Sequence, residues 1–76
     1  GYDEALFEAL REWRLQTARA AGVPAYVVLT DASLTAVAET LPRSDRDLLG
    51  IRGIGQAKLE SYGADLLAIV SPFSPS

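Results

Sequence analysis

One amphipathic segment at the head of the chain constrains the fold more than any other feature. Between Asp3 and Ala21, the residues Leu6, Leu10, Trp13 and Thr17 fall on one stripe, with Phe7, Arg14 and Ala18 beside it, and that spacing is helical. Asp3 and Glu4 put negative charge at the expected N-terminus, where the helix dipole favours it, and Gly22 followed by Pro24 supplies the stop. The outer face carries Glu8, Arg11, Glu12, Leu15 and Arg19, a mixed-sign pattern suited to a solvated surface. In a chain of 76 residues such a helix leaves room for one core and no separate catalytic domain. Folding at this size buries roughly 60% of the surface of the unfolded chain.

The partners of this helix follow in order. Tyr26-Val27-Val28-Leu29 has strand propensity, but nothing else in the chain alternates well enough to pair with it, and a lone strand leaves its backbone unsatisfied. The segment is therefore expected as a buried connector with room for a short helical turn. Thr30 or Asp31 caps a helix with Leu34, Val37, Ala38 and Leu41 on its apolar face, ended by Pro42. Ser44 caps a short helix holding Leu48 and Leu49, with Asp45 and Asp47 in its first turn and Gly50 closing it. After the turn Ile51-Arg52-Gly53-Ile54-Gly55, helix formers run from Gln56 to Tyr62, Gly63 is expected to punctuate, and Ala64 to Val70 forms the last helix. The fold class is all-α: about five short helices in one bundle, without a sheet. Its core is expected to gather Phe7, Leu10, Trp13, Val28, Leu34, Val37, Leu41, Leu48, Ile54, Leu59, Leu66 and Val70. Residues 1–70 form the domain, and 71–76 read as a tail or the start of a linker.

Composition narrows the function classes. Cysteine and histidine are both absent, which removes the side chains most used for zinc ligation, thiolate attack and acid–base work near neutral pH. The acidic residues present have ordinary explanations as caps and first-turn charges, so no catalytic residue, metal or cofactor is expected. Apolar residues make up 49% of the chain, too many for a disordered segment. No apolar run approaches the roughly 20 residues of a membrane span, and no leader pattern opens the sequence, so the expected compartment is the cytoplasm. The formal charge is -3, whereas a dedicated nucleic-acid binder shows a basic excess, so any phosphate contact must come from a local patch.

The segment from Leu48 to Gly55, followed by Lys58, supplies that patch and resembles a helix-hairpin-helix. Glycines in such a turn leave backbone N–H groups uncovered at a helix N-terminus, where a phosphate accepts hydrogen bonds and feels a favourable dipole, with Arg52 and Lys58 adding charge. The same glycines equally suit a turn that only lets two helices pack closely.

The ordered set Trp13, Val23-Pro24-Ala25-Tyr26-Val27-Val28, Thr30-Asp31-Ala32-Ser33-Leu34, Leu41-Pro42, Gly53-Ile54-Gly55, Lys58-Leu59 and Tyr62-Gly63 resembles the helicase-and-RNase-D C-terminal domain, HRDC, from about Leu6 to Val70. The resemblance implies a five-helix bundle appended to RecQ-type helicases, some UvrD-type helicases and RNase D, where it assists binding or regulation and does no chemistry. It also implies a surface for single-stranded DNA, made by the connector aromatic, basic residues of the first helix and the glycine turn. On this chain those positions are Tyr26, Arg11, Arg14, Arg52, Gly53, Gly55 and Lys58. Each has a plainer role beside it: Tyr26 as a core residue with its hydroxyl at the surface, and Arg14 as a buried stem paired with an acid. Glu12 and Leu15 stand where a strong binder would favour Lys or Arg. The expectation is a monomeric accessory domain with weak single-stranded DNA binding. The alternative is a docking module for the helicase core of the same chain or for another protein.

Overall fold

The computed structural model describes residues 1–75. Five helices, α1 (Glu4–Ala21), α2 (Ala25–Val28), α3 (Asp31–Thr40), α4 (Asp45–Leu49) and α5 (Gln56–Val70), are followed by a 3-10 turn at Ser71–Phe73, and the described residues contain no strand.

The helix ends form by local chemistry already present in the sequence. Asp3 Oδ1 accepts from Ala5 N at 2.8 Å and Leu6 N at 3.2 Å, satisfying two donors that the first turn of α1 cannot pair internally. At the other end Gly22 takes φ 68, and its N–H donates to Arg19 O while Val23 N donates to Ala18 O at 3.0 Å, the paired bonds of a Schellman ending. Thr30 caps α3 by accepting from Ser33 N at 3.1 Å, and Ser44 caps α4 by accepting from Asp47 N at 3.1 Å.

α1 lies against α2, α3 and α5, and α4 packs on α5. Their apolar faces close over Leu6, Leu10, Val28, Leu29, Leu34, Val37, Leu48, Leu66 and Val70, all fully buried. Ile51 and Ile54 enter the same core from the loop before α5. Phe7, Trp13, Leu41 and Leu59, expected inside, are only partly buried and pack at its edge.

Two local expectations are corrected. Gly63 does not interrupt the last helix, since α5 runs unbroken from Gln56 to Val70. A Cβ there would lie 2.9 Å from Leu59 Cδ1, while Leu48 Cδ1 at 3.7 Å would be in ordinary contact, so this buried glycine makes room for the Leu59 side chain of its own helix rather than ending the helix. The connector is also less buried than expected. It forms the single turn of α2, which sends Val28 and the following Leu29 inward while leaving Tyr26 67% and Val27 45% exposed. Helical turning explains this: successive residues point about 100° apart, so four residues cannot all face one core.

Beyond Val70, the 3-10 turn continues the path of α5 and Phe73 packs against the core. Of the expected tail, Ser76 lies outside the described residues.

Candidate nucleic-acid interface

The N-terminal turn of α3 is held by two of the segments that carry expected site residues, α1 through Arg14 and the glycine turn through Arg52. On one side stands Arg14, from the middle of α1. Its Nη1 donates to the backbone carbonyl of Leu29 at 2.9 Å and its Nη2 lies 2.9 Å from Asp31 Oδ1. The Arg14 side chain is 12% exposed, so the guanidinium fixes the exit of α2 and the start of α3 to α1 instead of facing outward. One turn earlier Arg11 is exposed and pairs with Glu8 at 3.0 Å, an arrangement worth little in water and easily exchanged. Arg11, Arg14 and Ala25 line one shallow groove between α1 and α2, together with Glu8, Glu12 and Leu15. The next residue after Ala25 is Tyr26, which is exposed to solvent.

On the other side of the junction lies the turn that leads into α5. Ser33, in the first turn of α3, donates from its hydroxyl to Arg52 O at 2.8 Å. Gly53 follows with φ 95, a conformation that side chains disfavour, and a Cβ there would run into the Ser33 hydroxyl. Ile54 is buried, pinning the loop to the core from beneath. Gly55 then precedes α5 without any side-chain cap, so the first N–H groups of α5 are left to solvent or a ligand. Arg52 is exposed, Lys58 is half-buried one turn into α5, and among the described residues neither is in an ion pair.

At the start of α3 the fold thus brings together Arg14, bonded to the Leu29 carbonyl and Asp31, and the glycine turn, bonded through Arg52 O to Ser33, whereas Arg11, Tyr26 and Lys58 make no bond to this junction. Sequence reasoning did not single out Ser33, although a hydroxyl three residues after the capping Thr30 is the available signal for it. Nor did it assign Asp31 a partner; it had Asp31 only as a cap or first-turn charge, and Asp31 is 91% exposed at its side chain while held to Arg14.

The HRDC domain family model matches residues 3–70, which takes in all five helices and every candidate site residue. The chain belongs to the HRDC family. Similar sequences lie within helicases: UvrD2 of Mycobacterium tuberculosis, named an ATP-dependent DNA helicase, is 54% identical over 68 residues, covering 90% of this chain and 10% of that protein. RecQ of Haemophilus influenzae, also an ATP-dependent DNA helicase, is 39% identical over 69 residues, covering 91% of this chain and 11% of its own length. Among solved structures, the D. radiodurans RecQ HRDC domain 3 superposes with a TM-score of 0.84 at 37% identity, over 90% of each chain. The chain thus spans only about a tenth of the length of each helicase it matches.

Proposed function

We propose that this HRDC domain is a non-catalytic accessory module of a DNA helicase, and that as a monomer it holds single-stranded DNA weakly to help the parent enzyme engage its substrate. The observation that carries the reading is the turn Gly53-Ile54-Gly55, which presents an uncapped helix N-terminus between Arg52 and Lys58, two cations without an ion pair among the described residues. Backbone donors in that setting suit a phosphate, and the dipole of α5 adds to the attraction. Tyr26, 67% exposed, offers its ring to a base. Arg11 contributes charge when it exchanges Glu8 for a phosphate, and Arg14 contributes by holding α2 in place.

The balance of charge sets the strength. With about two or three phosphates neutralised and about 0.7 counterions released for each, the log–log dependence of affinity on salt has a slope of about -2. The net charge of -3 opposes association, so the dissociation constant is about 10 µM or weaker. Fluorescence titration of a short labelled oligothymidylate at several salt concentrations tests this. Lys58→Ala weakens binding and flattens the slope by less than about one unit, whereas Tyr26→Ala weakens binding by about 1 to 3 kcal/mol and leaves the slope alone. Equal slopes and affinities in all three proteins refute the reading.

A second reading rests on a different observation: Leu15, Tyr26 and Val27 are exposed apolar side chains on an acidic domain. They suit docking on the helicase core of the parent chain, with little or no DNA contact. In that case Tyr26→Ala loosens the domain from the core and the oligonucleotide titration is flat. Under either reading the isolated domain hydrolyses no ATP and unwinds no duplex. Turnover that survives repurification overturns that part.

A further inference from the structure

Among the described residues Ser33 has the one buried polar side chain, and its hydroxyl donates to a backbone carbonyl of the glycine turn. Thr30 Oγ1 lies 3.0 Å from Ser33 Oγ and donates to it, and Ser33 Oγ in turn donates to Arg52 O at 2.8 Å, so the capping hydroxyl and the loop form one relay. A trans peptide is planar, with its C=O and N–H on opposite sides. The described residues contain no cis peptide bond, so fixing Arg52 O toward the buried Ser33 turns the N–H of Gly53 away from α3. Gly53 is exposed, and among the described residues nothing accepts a hydrogen bond from its N–H. The contact is reciprocal, because the Ser33 hydroxyl occupies the volume a side chain at position 53 would need.

We propose that Ser33 is a positioning residue for the phosphate contact: by holding the Arg52–Gly53 peptide plane from behind, it aims the Gly53 N–H outward beside the uncapped start of α5. The inference rests on the DNA-binding reading above and goes beyond it by assigning the alignment of the donors to a residue that touches no nucleic acid. Without the hydroxyl the plane is free to rotate, and the donor is no longer held facing a ligand.

Ser33→Ala and Ser33→Cys test it, the second keeping nearly the volume of serine while offering only a weak donor. Each is compared with the parent chain by amide NMR during titration with a short oligothymidylate, and by thermal melting. The expected result is a folded variant whose affinity falls about three- to tenfold, the equivalent of one hydrogen bond. The DNA-induced shifts at Gly53 and Gly55 shrink, and those around Tyr26 persist at saturation. A general structural defect moves both sets together and lowers the melting temperature in proportion. A folded Ser33→Cys or Ser33→Ala protein with parental affinity and full shifts at Gly53 overturns the proposal. If the parent chain shows no shift at Gly53, the DNA-binding reading itself fails, and that outcome is visible before any variant is made. Should the alanine protein not fold, the cysteine protein carries the comparison.

Discussion

The indole N–H of Trp13 donates to the carboxylate of Asp65 at 3.2 Å, joining the middle of α1 to α5 across 52 positions of sequence. The same indole meets the Tyr62 ring edge-on, with centroids 5.6 Å apart, in the geometry that aromatic quadrupoles prefer. Two helices that must pack for the core to exist are thus tied at the core's margin. Trp13→Ala should lower stability by about 3 kcal/mol, the low end for a large aromatic because the ring is only partly buried. Trp13→Phe keeps most of the packing and frees an exposed carboxylate to water, so its effect should stay near 1 kcal/mol. Urea denaturation of the two variants checks the order. A phenylalanine variant as weak as the alanine one would mean that the hydrogen bond, not the packing, dominates.

Gly22 and Gly53 both have positive φ, at 68 and 95, but only one is hemmed in. Nothing lies within 4 Å of a Cβ built on Gly22, whereas one on Gly53 meets the Ser33 hydroxyl. Gly22→Ala should therefore cost about 1 kcal/mol, the backbone penalty alone. Gly53→Ala should cost clearly more, about 2 to 4 kcal/mol, because the clash adds to it. Paired melting curves measure the difference. Equal losses at the two sites would contradict the packing of the turn against α3.

Arg14 and Asp31 should separate stability from binding. Arg14→Met leaves the Leu29 carbonyl without its charged donor and should lower stability by about 2 kcal/mol. Asp31→Asn removes a mostly exposed carboxylate, so its effect on stability should be under about 1 kcal/mol. Removing that negative charge from the junction should also raise single-stranded DNA affinity about twofold. A fall in affinity for Asp31→Asn, with the fold intact, would contradict the claim that the domain's acidic charge opposes binding.

Much of this was readable from residue order, for physical reasons that can be named. The caps at Thr30 and Ser44, the negative charge of Asp3 at the start of α1 and the stops at Gly22 and Pro42 are local, so the ends of α1, α3 and α4 follow from neighbours in sequence. Gly63 misled because its role is set by how the Leu59 side chain is packed, 2.9 Å from where a Cβ would stand, which propensity does not register. The turn of α2 was equally hard to place. Its valines favour strands, and only burial of Val28 and Leu29 against α1 decides the outcome. At the interface, Arg14 could be suspected of pairing with an acid, but which acid depends on how α3 meets α1. Ser33, read only as part of the Thr30–Leu34 motif, was given no role because its partner is a backbone carbonyl nineteen residues later, which no side-chain pattern announces.

The central claim is that the glycine turn and Tyr26 together contact single-stranded DNA. An amide NMR titration of the isolated domain at low salt, carried to millimolar oligothymidylate, tests it most directly because it reports weak binding and its location at once. The account predicts progressive, saturating shifts at Gly53, Gly55, Lys58 and Tyr26 that weaken as salt rises. Unchanged resonances at all four positions, in a domain that remains folded, would contradict it and leave docking on the helicase core as the function of this surface.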